Sequence, residues 1–447
     1  MDKAGSIFVS IASYRDPELV PTLLDMIHRA KRPERLHIAV CWQHDDKTSD
    51  EIFISAGMSI TAEYQHNGYS CFMLSYQDAE ISVLNVDFYE SQGACWARSM
   101  SETFFTEEDF FLQIDSHCRF IENWDEEMVE MLLSLQETSD KPVLSTYPPP
   151  YQPDDNSERS KLINRLIFRE FDKDGIVMLS STQIPGPLSV RNSYIAGGFI
   201  FTLGSFVREV PSDPQIFFAG EEISTAARAF TNGYDVYAPG KVLLWHFYIR
   251  KNHSKVWTDH NNKAKESGKI EKTWWQRDKI SKDRIRLLFQ ATEDYSALGN
   301  FKPGNVRTLA DFSDSIGVDF HHALVHPDVI SPGCISYFSK EMSQSSSWRD
   351  TFVRPCRKQL SLNRDQISLI GCLEEQWEVN VFDNVNKLLF SKIYKNPVYS
   401  NLSLSEGTDK AQILLNFSVP RNQHPDKILI SPYNSHSSCE KTVELSW

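Results

Sequence analysis

The chain has 447 residues, with 46 Lys+Arg against 60 Asp+Glu and a formal net charge of −14. That acidic balance argues against a nucleic-acid binder, whose phosphate contacts need basic surface, and no apolar run is long enough to span a bilayer. Hydrophobic content of 41% and aromatic content of 12% describe a soluble globular protein, too long for one typical core, so two domains are expected.

The eight cysteines form no C-x-x-C pair, so zinc-finger spacing is absent. The opening MDKAGSIFVSIASY lacks the apolar stretch of a signal peptide, which makes a dense disulfide framework implausible and a cytoplasmic setting with reduced thiols the expectation. N-x-S/T triplets beginning at Asn252, Asn401 and Asn416 then read as chance.

Residues 6–12 (SIFVSIA) predict a first buried strand, broken at Ser13-Tyr14-Arg15-Asp16-Pro17. Asp16 suits an N-cap and Pro17 a first helical position, so a helix is expected over residues 18–30, with Leu19, Leu23, Leu24, Ile27 and Ala30 as its apolar face. Residues 36–41 (LHIAVC) give a second strand, and strand–helix–strand at this spacing predicts a βαβ unit in a parallel sheet. The loop after the first strand then lies at the carboxyl edge, where a nucleotide would sit, with Tyr14 able to stack on a base and Arg15 to pair with phosphate. A plain turn with an exposed Arg15 fits these residues equally well.

A short strand is expected over residues 81–86, and a helix rich in small residues begins at Gln92-Gly93-Ala94-Cys95-Trp96-Ala97-Arg98. The Gly-Ala opening suits close approach of a ligand or of another backbone. Arg98 lies further along this helix, facing the end of the next strand or solvent. That strand is the centre of the chain: residues 109–124 read DFFLQIDSHCRFIENW, an apolar run ending in Asp115-Ser116-His117 before a helical pattern over residues 125–135. Asp115 and His117, two positions apart in extended backbone, point the same way at a strand's carboxyl end. A carboxylate and an imidazole there supply two ligands of a divalent metal site, the nitrogen favouring Mn2+ over Mg2+. A polar strand end with Asp115 opening a turn is the bland alternative.

Residues 142–160 predict a strand and then a Pro-rich, acidic, exposed loop without regular structure. Turn residues 184–187 lead to Ala196-Gly197-Gly198 and an expected strand, a Gly pair that suits backbone lying close to a bound group. Glu221-Glu222 follow an apolar run and Gly220 and open a helix over residues 223–231 that stops at Asn232-Gly233. A helix N-terminus favours negative charge, which accounts for one of the two carboxylates more readily than for both. Strands are expected over residues 234–238 and 241–245, and His246, just past the second, is either a packed bystander or a third metal ligand. Residues 250–283 show no clear periodicity and read as a lid carrying Trp257 and His260 or as a long connection; a helix is expected over residues 284–289. Beyond about residue 330, strands expected at 377–382, 387–394, 412–419, 427–430 and 442–447 predict a small all-β, sandwich-like domain.

Taken in order, SIASYRDPEL, GACWAR, QIDSHCRF with NW, IAGGFIF, FFAGEE and LLWHFYIR resemble metal-dependent glycosyltransferases of the GT-A fold that use a nucleotide sugar. The D-S-H-C, A-G-G-F and G-E-E strings resemble the mucin-type polypeptide N-acetylgalactosaminyltransferases. The opening motif, FFAGEE with NGYDVYAP, LLWHFYIR and ALGNFKPGNVRTL resemble more closely the retaining GlcNAc-transferases that modify hydroxyproline, Ser or Thr. The resemblance covers residues 5–320. It implies an α/β, Rossmann-like GT-A domain over residues 1–330, a linker over 331–348 and a β-rich accessory domain over 349–447, which lies outside the match and could redirect the acceptor. It implies that Asp115, His117 and His246 bind Mn2+ and the UDP diphosphate. It places Ser10, Ala12, Ser13, Tyr14 and Arg15 around uridine, with Gly93, Arg98, Ser116, Ala196, Gly197 and Gly198 near the donor. Glu221, Glu222 and Arg98 become the catalytic candidates, the Glu pair binding the donor sugar or the acceptor hydroxyl. No residue stands out as a nucleophile. The expected partners are a UDP-sugar and a protein or glycan acceptor.

A glycoside hydrolase needs two carboxyl groups about 5–10 Å apart across a cleft, which the adjacent Glu221 and Glu222 do not suggest. A transferase using another UDP-sugar, GalNAc or a hexose, to build a polysaccharide is the nearer alternative. A non-catalytic carbohydrate-binding module stands against the intact Asp115, His117 and His246.

Overall fold

The computed structural model describes residues 5–45, 48–153, 159–250, 253–289, 294–370, 376–395, 411–433 and 442–447. The acidic part of the Pro-rich loop (154–158), the triplets beginning at Asn252 and Asn401, and two of the cysteines lie outside the described residues. The chain divides into two compact units, Met1–Gly317 with Cys334–Ser343, and Val318–Gly333 with Gln344–Trp447. Among the described residues no helix is long and apolar enough to cross a membrane.

The first unit opens with β1 (Ile7–Tyr14), whose nearly unbroken buried run suits a central strand covered on both faces. Helix α1 (Leu19–Arg29) buries Leu19, Leu23, Met26 and Ile27 and leads to β2 (Leu36–His44). It starts later than the Asp-Pro signal suggested: Glu18 is its N-cap, and Asp16 Oδ1, two residues earlier, accepts from the Glu18 amide at 3.0 Å. After α2 (Glu51–Ile54) come β3 (Ser59–His66), β4 (Tyr69–Tyr76) and β5 (Ala79–Asp87), of which only the last is legible in sequence. The turns between them, Asn67-Gly68 and Gln77-Asp78, have positive φ throughout, the geometry of two-residue hairpins. Then follow α3 (Ala94–Glu102), β6 (Phe110–Asp115), β7 (Cys118–Phe120), α4 (Trp124–Leu135), β8 (Pro142–Ser145) and a hairpin of β9 (Asn164–Phe171) and β10 (Val177–Gln183). The unit continues with β11 (Val190–Asn192), β12 (Phe199–Leu203), α5 (Phe206–Glu209), α6 (Glu221–Thr231), β13 (Asp235–Ala238) and β14 (Leu244–His246). Helices α7 (Val256–Asp259), α8 (Asn262–Glu266), α9 (Trp274–Phe289) and α10 (Leu309–Ile316) complete it.

The main sheet has ten strands in the order β11-β13-β8-β12-β6-β1-β2-β5-β4-β3. Strands β6, β1, β2 and β5 are parallel, as the βαβ pattern predicts. β12 runs antiparallel between β6 and β8, so the sheet as a whole is mixed. The α/β class expected for this part of the chain is therefore what it adopts. Val9, Ile11, Leu112, Ile114, Trp124 and Phe201 belong to its main core, and Trp124 Nε1 donates to the Met26 carbonyl at 2.8 Å.

Two expectations fail here for identifiable reasons. The Pro-rich stretch is not an exposed loop at its start: Pro148, Pro149 and Tyr151 are buried, because the strand β14 exchanges backbone hydrogen bonds with it, His246 N to Pro149 O and Tyr151 N to His246 O. The aperiodic stretch before Arg284 is largely helical, α9 beginning ten residues early with an apolar face too narrow to read as periodic.

The second unit contains β15 (Val318–Asp319), β16 (Leu324–Val325), β17 (Val353–Leu362), β18 (Gln376–Phe382), β19 (Leu388–Lys395), β20 (Ala411–Pro420), β21 (Lys427–Pro432) and β22 (Val443–Ser446). They form two four-stranded sheets, β15-β16-β17-β20 and β19-β18-β21-β22. Leu360, Leu362, Ile413 and Leu415 from one share a core with Trp377, Val379, Ile428 and Ile430 from the other, the sandwich pattern expected. A short helix, Arg364–Ile370, makes the unit β-rich rather than all-β.

Trp124→Ala removes a fully buried tryptophan from the first core and should destabilise that unit by about 3–5 kcal/mol. The expected reading is a lowered urea midpoint with the slope retained; an unchanged midpoint would show that this core does not depend on it.

Candidate active site and metal centre

Parallel pairing sets Ala12 of β1 beside Asp115, so the end of β6 lies at the carboxyl edge of the sheet. The chain turns through Ser116 and His117 into β7, which pairs antiparallel with β14 in a register that puts His246 opposite Cys118. His246 is thus the last residue of a strand, not a residue beyond it, and the short ladder brings it to His117. The two imidazole centroids are 4.5 Å apart. Asp115 Oδ2 lies 3.0 Å from His246 Nε2 and 3.9 Å from His117 Nε2.

One ligand atom from each of Asp115, His117 and His246 falls within 4.8 Å of the others, a group that could hold a metal ion. Burial pushes the Asp115 carboxyl up, but the hydrogen bond from His246 and the charge of Arg98 hold it well below the usual carboxylate range. Burial keeps His246 below the ordinary imidazole value despite Asp115, and among the described residues its buried Nδ1 has no hydrogen-bond partner. A carboxylate with two imidazole rings is a donor set that fits a divalent transition metal.

Asp16 organises this group from behind. Its Oδ2 accepts from His117 Nδ1 at 2.7 Å, from Ser116 Oγ at 2.8 Å and from Arg250 Nη1 at 2.9 Å. Burial alone would raise the Asp16 pKa, yet His117 and Arg250 take it below the ordinary value. With the proton on Nδ1 directed to Asp16, the lone pair of His117 lies on Nε2, facing Asp115.

On the other side, Arg98 of α3 is buried and divides its guanidinium between Asp115 Oδ1, at 3.0 Å, and Glu221 Oε1. Glu221 and Glu222 begin α6, where the helix N-terminus favours negative charge. Each also has a particular partner, so the macrodipole is not the whole account. Glu222 Oε1 accepts from the Gly197 amide at 3.1 Å and Oε2 from the Tyr147 hydroxyl at 2.6 Å. Burial pushes Glu222 up to about 7, against the lowering effect of those two donors. The glycine pair is required by this crowding: a Cβ on Gly197 would lie 2.7 Å from Glu221 Oε1, and one on Gly198 would lie 2.7 Å from Asp115 Oδ2.

These groups open into one cavity of about 440 Å³. Of the residues the sequence singles out, Ala12, Tyr14, Gly93, Arg98, Asp115, Ser116, His117, Gly197, Gly198, Glu221, Glu222 and His246 all line it. Ser10, Ser13, Arg15 and Ala196 are not among its lining residues. Ser10 is buried with its hydroxyl 2.6 Å from that of Ser101, Ser13 is also fully buried, and the Ala196 amide donates to Ser145 Oγ at 2.8 Å. Arg15 is held by Asp45 at 2.9 Å and Asp259 at 3.0 Å and faces a neighbouring hollow. Sequence reasoning missed Asp16, Tyr147 and Arg250. Asp16 carried a cap signal that accounted for it, Tyr147 sat in a stretch read as exposed, and Arg250 belonged to a segment without periodicity.

The sequence matches the family model described as Glycosyltransferase (GlcNAc) over residues 6–322, more than half of the chain. The chain belongs to that family. No curated protein matches it. Among solved structures it is similar to GalNAc-T7 with UDP, GalNAc and Mn2+, at 11% identity and a TM-score of 0.44, covering 97% of this chain and 73% of that one. It is also similar to Staphylococcus aureus TarS, at 9% identity and a TM-score of 0.34, covering 99% and 77%. For TarS residues 1–349 the figures are 11%, 0.31, 66% and 80%.

Asp16→Asn keeps the size of the side chain behind His117 but removes its charge. Outer-shell changes of this kind typically weaken metal affinity about 10–100-fold. Calorimetric titration with Mn2+ should show a loss in that range, with the circular dichroism spectrum unchanged. Wild-type affinity would show that Asp16 is only a turn residue.

Proposed function

We propose that this member of the GlcNAc glycosyltransferase family is a metal-dependent, retaining enzyme of the GT-A kind. It moves N-acetylglucosamine from UDP-GlcNAc to a hydroxyl acceptor, either protein Ser, Thr or hydroxyproline or a glycan. The observation that carries the reading is the convergence of Asp115, His117 and His246 in the same cavity as Glu221 and Glu222. Asp115, His117 and His246 would hold the ion, and their nitrogen donors favour Mn2+ over Mg2+. When bound, the ion supplies Lewis-acid stabilisation of the leaving diphosphate.

The chain's own residues do the rest. Arg98 ties Asp115 to Glu221, so the carboxylate at the metal end and the one at the sugar end share a fixed cation. Glu221 and Glu222 orient hydroxyls of the donor sugar or of the acceptor, and Gly197-Gly198 let the sugar approach the main chain. Tyr14, Ala12 and Gly93 form the wall for the nucleotide, while Ser10 and Ser13 on the same strand are buried and do not line it. Arg169, Arg250 and Lys255 also line the cavity and add positive charge for a diphosphate. Retention follows from the family resemblance, with the acceptor attacking on the leaving-group face: the sugar–phosphate C–O bond breaks, the acceptor O–C bond forms, and the acceptor proton passes to a diphosphate oxygen. The β-rich unit is an accessory that acts on acceptor choice. A cytoplasmic setting is supported by Cys41, Cys71, Cys95, Cys118 and Cys356, all free and buried.

Calorimetry with UDP, UDP-GlcNAc and UDP-GalNAc, each with and without Mn2+, tests the reading. Metal-dependent binding strongest for UDP-GlcNAc is expected, and Asp115→Ala should abolish the metal-dependent part without lowering the melting temperature. Preference for UDP-GalNAc would replace the donor, and binding of none would remove the transferase reading.

A further inference from the structure

Glu222 is gripped from two elements distant in sequence. The Tyr147 hydroxyl, just beyond β8, donates to Oε2 at 2.6 Å, and the Gly197 amide, just before β12, donates to Oε1 at 3.1 Å. Each carboxylate oxygen therefore has one fixed donor and further lone pairs free, and Tyr147, Gly197 and Glu222 all line the cavity. We propose that Tyr147 is a positioning residue of the transfer site, whose hydroxyl holds the Glu222 carboxylate ionised and aimed to accept hydrogen bonds from hydroxyls of the bound sugar. The identity of that ligand rests on the glycosyltransferase reading above.

The charged and titratable groups facing the pair come from every element around it. Glu221, its neighbour on α6, repels Glu222, Arg98 of α3 attracts it, Tyr248 beyond β14 faces both Glu222 and Tyr147, and Arg169 of β9 faces Tyr147. Burial is the largest influence on Glu222 and disfavours its charged form, with the Tyr147 hydrogen bond first among those opposing it. A protonated Glu222 would turn one oxygen into a donor and lose acceptor capacity towards a sugar hydroxyl. Loss of the Tyr147 hydroxyl thus raises the pH at which Glu222 ionises, while loss of a merely packed ring atom does not.

The test is Tyr147→Phe, which keeps the ring. Carbon-13 carboxyl titration follows Glu222 directly, its signal assigned by disappearance in Glu222→Gln. The midpoint should lie well above the ordinary glutamate value in the wild type and rise by about one pH unit in Tyr147→Phe, the scale of one hydrogen bond to a charged group. Calorimetry against pH should show UDP-GlcNAc binding strengthening as Glu222 ionises, the same upward displacement in the variant, and no displacement for UDP, which lacks the sugar. An unmoved carboxyl midpoint overturns the proposal, as does a moved midpoint with an unmoved UDP-GlcNAc profile. Wild-type protein that binds no sugar nucleotide at any pH overturns the transferase reading instead, and the carboxyl titration keeps the two failures apart. Should Tyr147→Phe not fold, the wild type decides: UDP-GlcNAc binding that rises with the Glu222 carboxyl midpoint supports the proposal, and binding that does not follow that midpoint overturns it.

Discussion

A buried carboxylate is costly unless charge and hydrogen bonds surround it, and Asp16 is the place where that constraint is met by the whole site. Its partners come from separate parts of the chain: the Glu18 amide at the start of α1, Ser116 and His117 in the turn after β6, and Arg250 after β14. Removing any of them would leave an underpaired charge in a dry setting. The contact therefore ties these segments together at the sheet's carboxyl edge and sets the orientation of His117. Packing of β1, α1 and β6 supplies the frame, and Asp16 converts it into a defined donor geometry.

The opposite half of the site is set by where β12 runs. Lying antiparallel beside β6, it returns Gly197 and Gly198 to the edge at which Asp115 emerges. The missing side chains there let Asp115 and Glu221 come close to main chain, and Gln113 Nε2 holds the Gly197 carbonyl at 2.7 Å. Asp115, Glu221 and Glu222 would repel one another in such a space. Arg98, buried between the first two, and Tyr147 with Gly197 on the third relieve that repulsion in different ways. The first is direct charge pairing; at Glu222 the direct partners are dipoles, with Arg98 attracting without a hydrogen bond. The carboxylate served by dipoles is the one that burial pushes up to about 7.

Legibility followed the strength of local signals. β1, β2 and β6 are near-continuous apolar runs, and α6 has both a carboxylate start and an Asn-Gly stop, so their positions are plain in sequence. β3 is exposed at most positions and carries no buried face to read. Asp115 with His117 was legible because spacing in an extended backbone is local information, and His246 because it follows an apolar strand. Asp16, Tyr147 and Arg250 were not, since what makes them part of the site is contact across 101, 75 and 234 residues. A signal that is already explained locally, as the Asp-Pro cap was, hides a long-range role most effectively.

The same acid–base chemistry is used at two strengths around the cavity, and the difference is solvent. Asp16 and His117 meet almost out of water, with side chains 1% and 6% exposed, where Coulomb attraction is weakly screened. Arg15, in a left-handed backbone conformation with φ 46°, meets Asp45 and Asp259 while about a quarter of its side chain stays exposed. Tyr14 adds its hydroxyl to the same Asp259 at 2.8 Å, so the short helix α7 is fastened to the end of β1 by this carboxylate. Exposed pairs of that kind contribute about 0–1 kcal/mol each and weaken with salt. The wall carrying Trp257 is thus held by contacts that ionic strength can tune, whereas the Asp16–His117 contact behind the metal-ligand candidates is screened far less. For the function proposed above, that division would keep the possible Asp115–His117–His246 metal site fixed while the side proposed for the nucleotide admits and releases a charged ligand.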